Sequence, residues 1–252
     1  MSTTTMSRPA THRPLLIVAA IVVALGVGLY VSGGWRTVQV THETISQPLG
    51  SAKSADVTIG MGIGELHIGA LDQAGQLIAG EIAYPEANRV DRAFAMRGDT
   101  ASFTLREQDA QRNSLFKYRD DDAIWNLRLA PATPTRLTIE AGVGQSTLDL
   151  SQLTLTELDL KTGVGQTTLT LPGQGQLQAH VEGAVGNTTI RIPEGVAVRV
   201  DVDAGLGNVN VLGNYQRRGH TYTSPDFDTA ANRIDLSATS GIGTITIEQI
   251  GQ

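Results

Sequence analysis

The sequence predicts an all-β protein of stacked 21-residue repeats, each holding two strands as in a β-solenoid, behind a single N-terminal transmembrane helix. Four tripeptides of glycine or alanine, an apolar residue and glycine end at residues 144, 165, 186 and 207, so each step is 21 residues. A fixed period of this size is typical of coils that stack on copies of themselves. Apolar and polar residues alternate around each tripeptide, which is the pattern of half-buried strands.

The segment Leu15–Val31 predicts the helix, because it has 17 residues and no charge. As a helix it spans about 26 Å, close to the ~30 Å hydrocarbon core of a bilayer, and the complete membrane-spanning helix is placed at residues 15–34. Arg8 and Arg13 precede the segment. The positive-inside rule therefore keeps residues 1–14 in the cytoplasm and the rest of the chain outside, and the lipid bilayer is the first predicted partner.

A cleaved signal peptide is the alternative interpretation of this segment. Val31 and Gly33 are small residues near a potential cleavage point. The apolar run is longer than the core of a typical signal peptide, and no A-x-A-like site follows it, so a membrane anchor is favoured. Both interpretations export the remaining chain.

Residues 35–54 are predicted to form an extended linker. Residues 55–130 are predicted to form an N-terminal β region that does not follow the repeat period. This region contains one further tripeptide, Gly62-Ile63-Gly64. Arg97-Gly98-Asp99 is interpreted as the tip of a hairpin, with an adhesion motif as the alternative. Four ordinary strands are predicted in the region, at Gln76–Tyr84, Arg92–Met96, Ala101–Glu107 and Ile124–Leu129.

Residues 131–252 form the predicted repeat region. The two strands of each repeat are expected to join at the tripeptide, whose glycines supply a positive φ angle or allow close stacking. If consecutive repeats stack in register, equivalent residues lie about 4.8 Å apart on neighbouring strands. His180 is then expected to lie between Asp159 and Asp201.

An insert interrupts the repeat at residues 214–232, because the last tripeptide ends 36 residues after the preceding one instead of 21. Long loops on a rigid scaffold often carry binding sites, which makes the insert a candidate partner-binding loop. A cap over the end of the stack is the favoured interpretation, since the ends of solenoids need covering. The candidate contacts are the aromatic and basic residues of the insert, namely Tyr215, Arg217, Arg218, His220, Tyr222 and Phe227.

Composition and motifs predict no catalytic, cofactor-binding or metal-binding residues. The formal net charge of -6 argues against nucleic acid as a partner, and the lack of cysteine excludes thiolate metal sites. No nucleophile motif of the G-x-S-x-G type occurs. A polysaccharide-acting β-helix enzyme is the alternative function, and it would use paired carboxylates. The candidates for such a pair are Asp149, Asp159, Asp201, Asp203 and Asp235.

Three stretches between Leu129 and Gln249 follow one another in a distinctive order. They are LTIEAGVGQSTLDLSQLTLTELDLKTGVGQTTLTL, GAVGNTTIRIPEGVAVRVDVDAGLGNVNVLG and RIDLSATSGIGTITI. These stretches resemble the toast-rack family of bacterial envelope proteins, which is related to the stress-response proteins for cell-wall-active antibiotics. The resemblance implies a stack of β-strands at the bacterial envelope, and it supplies no catalytic motif.

The expected function is therefore that of a non-catalytic, membrane-anchored, extracytoplasmic β-repeat scaffold or binding protein. The resemblance suggests a role in bacterial envelope stress or in surface interaction. The expected location is the bacterial cell membrane, with one pass and a cytoplasmic N-terminus. An envelope protein or the cell wall is the expected partner, no cofactor is expected, and the sequence leaves the oligomeric state open.

Overall fold

The computed structural model describes residues 39–108 and 123–251. The predicted cytoplasmic tail (1–14) and the predicted transmembrane helix (15–34) lie outside these ranges. Within the two ranges, no helix is both long and apolar enough to cross a membrane.

The described chain is all β, as predicted. Its strands in chain order are β1 (Val40–Pro48), β2 (Ser54–Ala70), β3 (Gln76–Pro85), β4 (Arg89–Arg97), β5 (Thr100–Gln108), β6 (Ile124–Leu129), β7 (Thr135–Asp149), β8 (Leu155–Thr170), β9 (Gln176–Pro193), β10 (Ala197–Leu212), β11 (Gln216–Arg218), β12 (Thr221–Thr223) and β13 (Arg233–Ile250). Their spatial order is β1-β3-β6-β2-β7-β8-β9-β13-β10-β12-β11, with β5 beside β2 and β4 beside β5.

The repeat unit is one long bent strand, which differs from the predicted pair of strands. β7 runs without a break through Gly142-Val143-Gly144 and pairs with β8 in one register on both sides of this tripeptide. The buried residues have odd numbers before the bend, as at Ile139, and even numbers after it, as at Leu148. Each bent strand therefore presents one apolar face on both of its halves to a common core.

Short return segments between the bent strands complete this core. The Leu150 N–H donates to the Thr170 carbonyl, and the Leu171 N–H donates to the Arg191 carbonyl, both at 2.9 Å. The return segments are thus hydrogen-bonded to the neighbouring repeats. Both leucine side chains are fully buried, and burial of such a side chain contributes about 1.5–3 kcal/mol.

A column of glycines runs along the stack at the third position of the tripeptides. Gly165 has a φ angle of +145°, which residues with a side chain rarely adopt. A Cβ atom on Gly165 would also overlap the carbonyl oxygen of Gly144 on the neighbouring strand. The same overlap recurs at the corresponding glycine of every later bent strand. Neighbouring bends therefore lie closer together than a residue with a side chain would allow. In strand order, the members of this glycine column are Gly64, Gly144, Gly165, Gly186, Gly243 and Gly207.

The last repeat does not lie at the end of the stack. β13 is inserted between β9 and β10 and is parallel to both. His180 therefore pairs with Asp159 on one side and with Ser237 on the other. The expectation that His180 lies between Asp159 and Asp201 is wrong, because β13 separates the strands that carry His180 and Asp201.

The N-terminal β region continues the same stack. Part of the predicted linker (35–54) belongs to the sheet instead, because β1 pairs antiparallel with β3 and its Ile45 is buried. β2 pairs with β7 along both halves, so the first tripeptide joins the glycine register. On its other side, β5 pairs with the first half of β2 and β6 with the second half. The four strands predicted in this region are confirmed as β3 to β6. Arg97-Gly98-Asp99 forms the tip of the β4–β5 hairpin, where Asp99 Oδ2 lies 2.7 Å from Lys53 Nζ.

We expect Gly165→Ala to lower the free energy of unfolding by about 3 kcal/mol, because the added Cβ meets both an unfavourable φ angle and a backbone oxygen. Gly69→Ala is the matched control, since Gly69 also lies on a bent strand but its Cβ would have no neighbour within 4 Å. The control should stay within about 0.5 kcal/mol of the parent. Urea denaturation measures both effects, and a Gly165→Ala variant as stable as the parent would contradict the role of the glycine column.

Candidate functional site

The insert covers half of the strand edge at one end of the stack. β11 and β12 form a hairpin, and β12 runs antiparallel to the first half of β10 at Arg199–Asp201. Ser224 fixes the segment that follows, because its N–H donates to the Val198 carbonyl at 2.8 Å and its hydroxyl accepts from the Val198 N–H at 2.9 Å. This geometry is that of a cap over the first half of β10.

The aromatic residues of the insert pack inwards. Phe227 is only 7% exposed, and the guanidinium carbon of Arg199 lies 4.7 Å from the centroid of its ring. Arg199 is held there by an ion pair with Asp235 on β13. Tyr215 and Tyr222 are half-buried against the core. Three of the six candidate contacts therefore serve the attachment of the cap.

The basic residues of the insert remain at the surface. Arg217, Arg218 and His220 are all exposed. Arg217 lies 5.2 Å from the ring centroid of Tyr222, and its Nε donates to the carbonyl of Gly219 at 3.0 Å. The three basic side chains are therefore carried by a hairpin whose backbone is hydrogen-bonded to the stack. We call them the basic surface.

A row of exposed apolar side chains, which the sequence reasoning missed, follows the outside of the bends. It is formed by the middle residue of each tripeptide and extends for about 24 Å at ~4.8 Å per strand. The exposed fraction of its members reaches 65% at Leu206. All the middle residues are apolar in the sequence, and that regularity was the available signal. In strand order, the members of this apolar ridge are Ile63, which is half-buried, and Val143, Val164, Val185, Ile242 and Leu206, which are exposed.

The carboxylates that an enzymatic function would need lie on strand faces, and most are held by neighbouring side chains. Their partners are Ser151 for Asp149 at 2.6 Å, Lys161 for Asp159 at 3.4 Å, Thr221 for Asp201 at 3.2 Å and Arg199 for Asp235. Asp203 is exposed. In the part of the chain that the structure describes, no group of three histidine, aspartate or glutamate side chains is placed to hold a metal ion.

We expect Phe227→Ala to lower the free energy of unfolding by about 3 kcal/mol, because a buried aromatic ring is removed from beneath Arg199. Arg218→Ala in the same insert is the control, and its effect should be within about 0.5 kcal/mol, since Arg218 is exposed. Thermal and urea unfolding of both variants give the comparison. Equal stability of the two variants would mean that the insert does not act as a cap.

We expect the folded protein to lose stability at alkaline pH because of the Tyr215 phenol. Burial raises the pKa of this phenol above the ordinary value of 10.0, and no hydrogen-bond partner for its buried hydroxyl is present in the described residues. A raised folded-state pKa contributes stability below pH 10 that is lost as the pH rises through that pKa. Tyr215→Phe should therefore lose less stability than the parent above pH 10. At neutral pH it should be equally stable or about 1 kcal/mol more stable. If the melting temperatures of the two proteins fall equally as the pH rises above 10, this prediction is contradicted.

Comparison with protein families gives two overlapping matches. Residues 36–191 match the family described as the N-terminal domain of toast_rack. Residues 179–247 match the C-terminal part of LiaF, described as a cell wall-active antibiotics response protein. A comparison with curated proteins gives no match.

Solved structures provide a comparison of the fold. A candidate cell adhesion protein from Clostridium sporogenes is 23% identical, covers 84% of this chain and 100% of its own, and has a TM-score of 0.78. A candidate adhesin from Bacteroides fragilis is 12% identical over 83% of this chain and 97% of its own, but its TM-score of 0.32 carries no argument. The Clostridium protein shows that the bent-strand stack is a known fold.

The family match extends from residue 36 to residue 191 and therefore covers more than half of the chain. It includes the first four tripeptides of the glycine register, from Gly62-Ile63-Gly64 to Ala184-Val185-Gly186. The resemblance that the three stretches between Leu129 and Gln249 carried is thereby confirmed, and the chain belongs to the toast-rack family.

Proposed function

We propose that this protein is a non-catalytic scaffold, anchored in the bacterial cell membrane by a single helix at residues 15–34, with its β-repeat domain outside the cytoplasm. The observation that carries the proposal is the toast-rack match, which begins at residue 36, directly after the predicted helix. The match of residues 179–247 to the antibiotic-response protein LiaF supports a role in the response to envelope stress.

The geometry of the described domain favours the presentation of surfaces over catalysis. At the glycine column, the backbone of each bend is in direct contact with the backbone of the neighbouring bend. A stack of this kind holds surface side chains at a regular spacing of ~4.8 Å. The name of the Clostridium relative, a candidate cell adhesion protein, agrees with a function in surface contact. A rigid stack on a membrane anchor suits such a function.

The proposed partner is an envelope protein or the cell wall, and the basic surface is the proposed contact. Arg217, Arg218 and His220 are exposed on a chain whose net charge is -6. A local group of basic side chains on an acidic protein attracts anionic groups of a partner. The cap holds this group at a fixed place because β12 is paired with β10.

The proposed topology can be tested directly, because the chain has no cysteine. We expect Gln145→Cys, on the exposed face of β7, to react with a membrane-impermeant maleimide in intact spheroplasts. Thr4→Cys, in the predicted cytoplasmic tail, should react only after lysis. Labelling of Thr4→Cys before lysis would contradict the topology. Loss of Thr4→Cys from the mature protein would show a cleaved signal peptide in place of the anchor.

The proposed role predicts that cells without this protein are more sensitive to cell-wall-active antibiotics. A chain with Arg217→Ser and Arg218→Ser should fail to restore resistance, because the basic surface is lost. The matched control carries Lys53→Ser and Arg128→Ser, which remove two exposed charges away from the basic surface, and it should restore resistance. The minimum inhibitory concentration measures the effect. Unchanged sensitivity of the deletion strain would contradict the role, and full rescue by the first variant would contradict the contact.

A further inference from the structure

Four strand edges have no neighbouring strand within residues 39–108 and 123–251. They are the outer edges of β1, β4 and β11 and the second half of β10, beyond its pairing with β12. Unpaired N–H and C=O groups on such an edge are a template for another strand, and proteins usually protect them with charges or proline. The first three edges are protected in this way, by Glu43 and Pro48 on β1, Arg89 and Arg97 on β4, and Arg217 and Arg218 on β11.

The second half of β10 has no such protection. Residues 204–212 read AGLGNVNVL and contain neither a charge nor a proline. Leu206 and Leu212 are 65% and 56% exposed, the highest values among the large apolar side chains of the described chain. An uncharged edge with exposed leucines is the kind of edge that pairs with another strand.

The core is also unfinished at this edge. Val209 and Val211 point to the inner face but are only half-buried. Their partners on β13, Ile245 and Ile247, are 1% and 0% exposed. An additional strand beside β10 would cover the two valines, and the burial of their apolar surface favours such pairing.

We propose that this edge pairs with the same edge of a second copy of the chain, antiparallel and centred on Val209. Residues directly opposite in an antiparallel pair lie on the same face and contact each other. In the centred register, Leu206 lies opposite Leu212 of the second copy, Asn208 lies opposite Asn210, and Val209 lies opposite itself. Apolar side chains thus meet apolar ones and amides meet amides. The edge is complementary to itself, as a two-fold interface requires.

A second copy suits this edge better than a charged partner strand would, because the edge offers no charge to pair with. Seven paired residues form a small contact compared with the ~1,600 Å² of a standard interface. We therefore expect a dissociation constant in the micromolar range, which a shared membrane would offset by raising the effective concentration. The pairing itself goes beyond the proposed function, and only the gain in effective concentration rests on the membrane anchor of that proposal.

Cysteine cross-linking of the full-length chain in detergent tests the pairing, since the parent has no cysteine. Under mild oxidation we expect Val209→Cys to form a disulfide-linked dimer. Val164→Cys, on the apolar ridge at 49% exposure, is the control for random collisions. Leu206→Cys mixed with Leu212→Cys should link far more than either variant alone. No more linkage by Val209→Cys than by Val164→Cys would overturn the dimer. Equal linkage by Leu206→Cys alone and by the mixture would overturn the register.

A charge swap tests the same contact without cross-linking. Asn208→Lys with Asn210→Lys places like charges opposite each other and should convert the dimer to a monomer in sedimentation velocity. Both residues are exposed, so the melting temperature of this variant should match that of the parent. Mixing it with the variant that carries Asn208→Asp and Asn210→Asp should restore a dimer with one copy of each. A dimer of the lysine variant alone, or a monomeric parent at about 100 µM, would overturn the proposal.

Discussion

Contact between backbones at the bends is the constraint on which the rest of the structure depends. At each step from Gly64 to Gly207, the Cα of one bent strand lies against a carbonyl oxygen of the next, with no room for a Cβ. This contact sets the register of six strands at once. It places apolar side chains of both halves in one core and leaves the middle residue of each tripeptide outside, so the core and the apolar ridge both follow from one glycine per repeat.

The insert and the position of β13 depend on each other at the end of the stack. The final repeat enters between β9 and β10, and the chain must travel back from β10 to reach that place. Residues 214–232 make this return, and on the way they form the hairpin that covers the first half of β10. The extra residues before the last tripeptide thus have a structural reason. The return leaves the second half of β10 uncovered, which is why the stack keeps one unprotected edge.

Much of the fold could be predicted from the sequence because its signals are local. The alternation of apolar residues located β3 to β6, and the repeated tripeptides predicted the common register. The order of the strands could not be predicted. In a parallel stack, β13 can pair between any two bent strands that place a glycine beside its own glycine. One of the two predicted neighbours of His180, Asp201, was wrong for that reason, whereas Asp159 does lie beside it. The candidate loop was found from its composition, but only the packing of Phe227 and the pairing of β12 separate its buried residues from its exposed ones.

The most direct test of this account is whether the last repeat shares the glycine register between β9 and β10. Asn187 and Asn208 each pair with Thr244 on β13, one from either side. In the full-length chain, a disulfide should therefore form between cysteines introduced together at Asn187 and Thr244, because directly paired residues lie within the reach of a disulfide. Cysteines at Asn187 and Asn208 are two strands apart, about 9.6 Å, and should not link within one molecule. Efficient intramolecular linkage of the second pair, with none of the first, would mean that β10 follows β9 directly and would contradict the account.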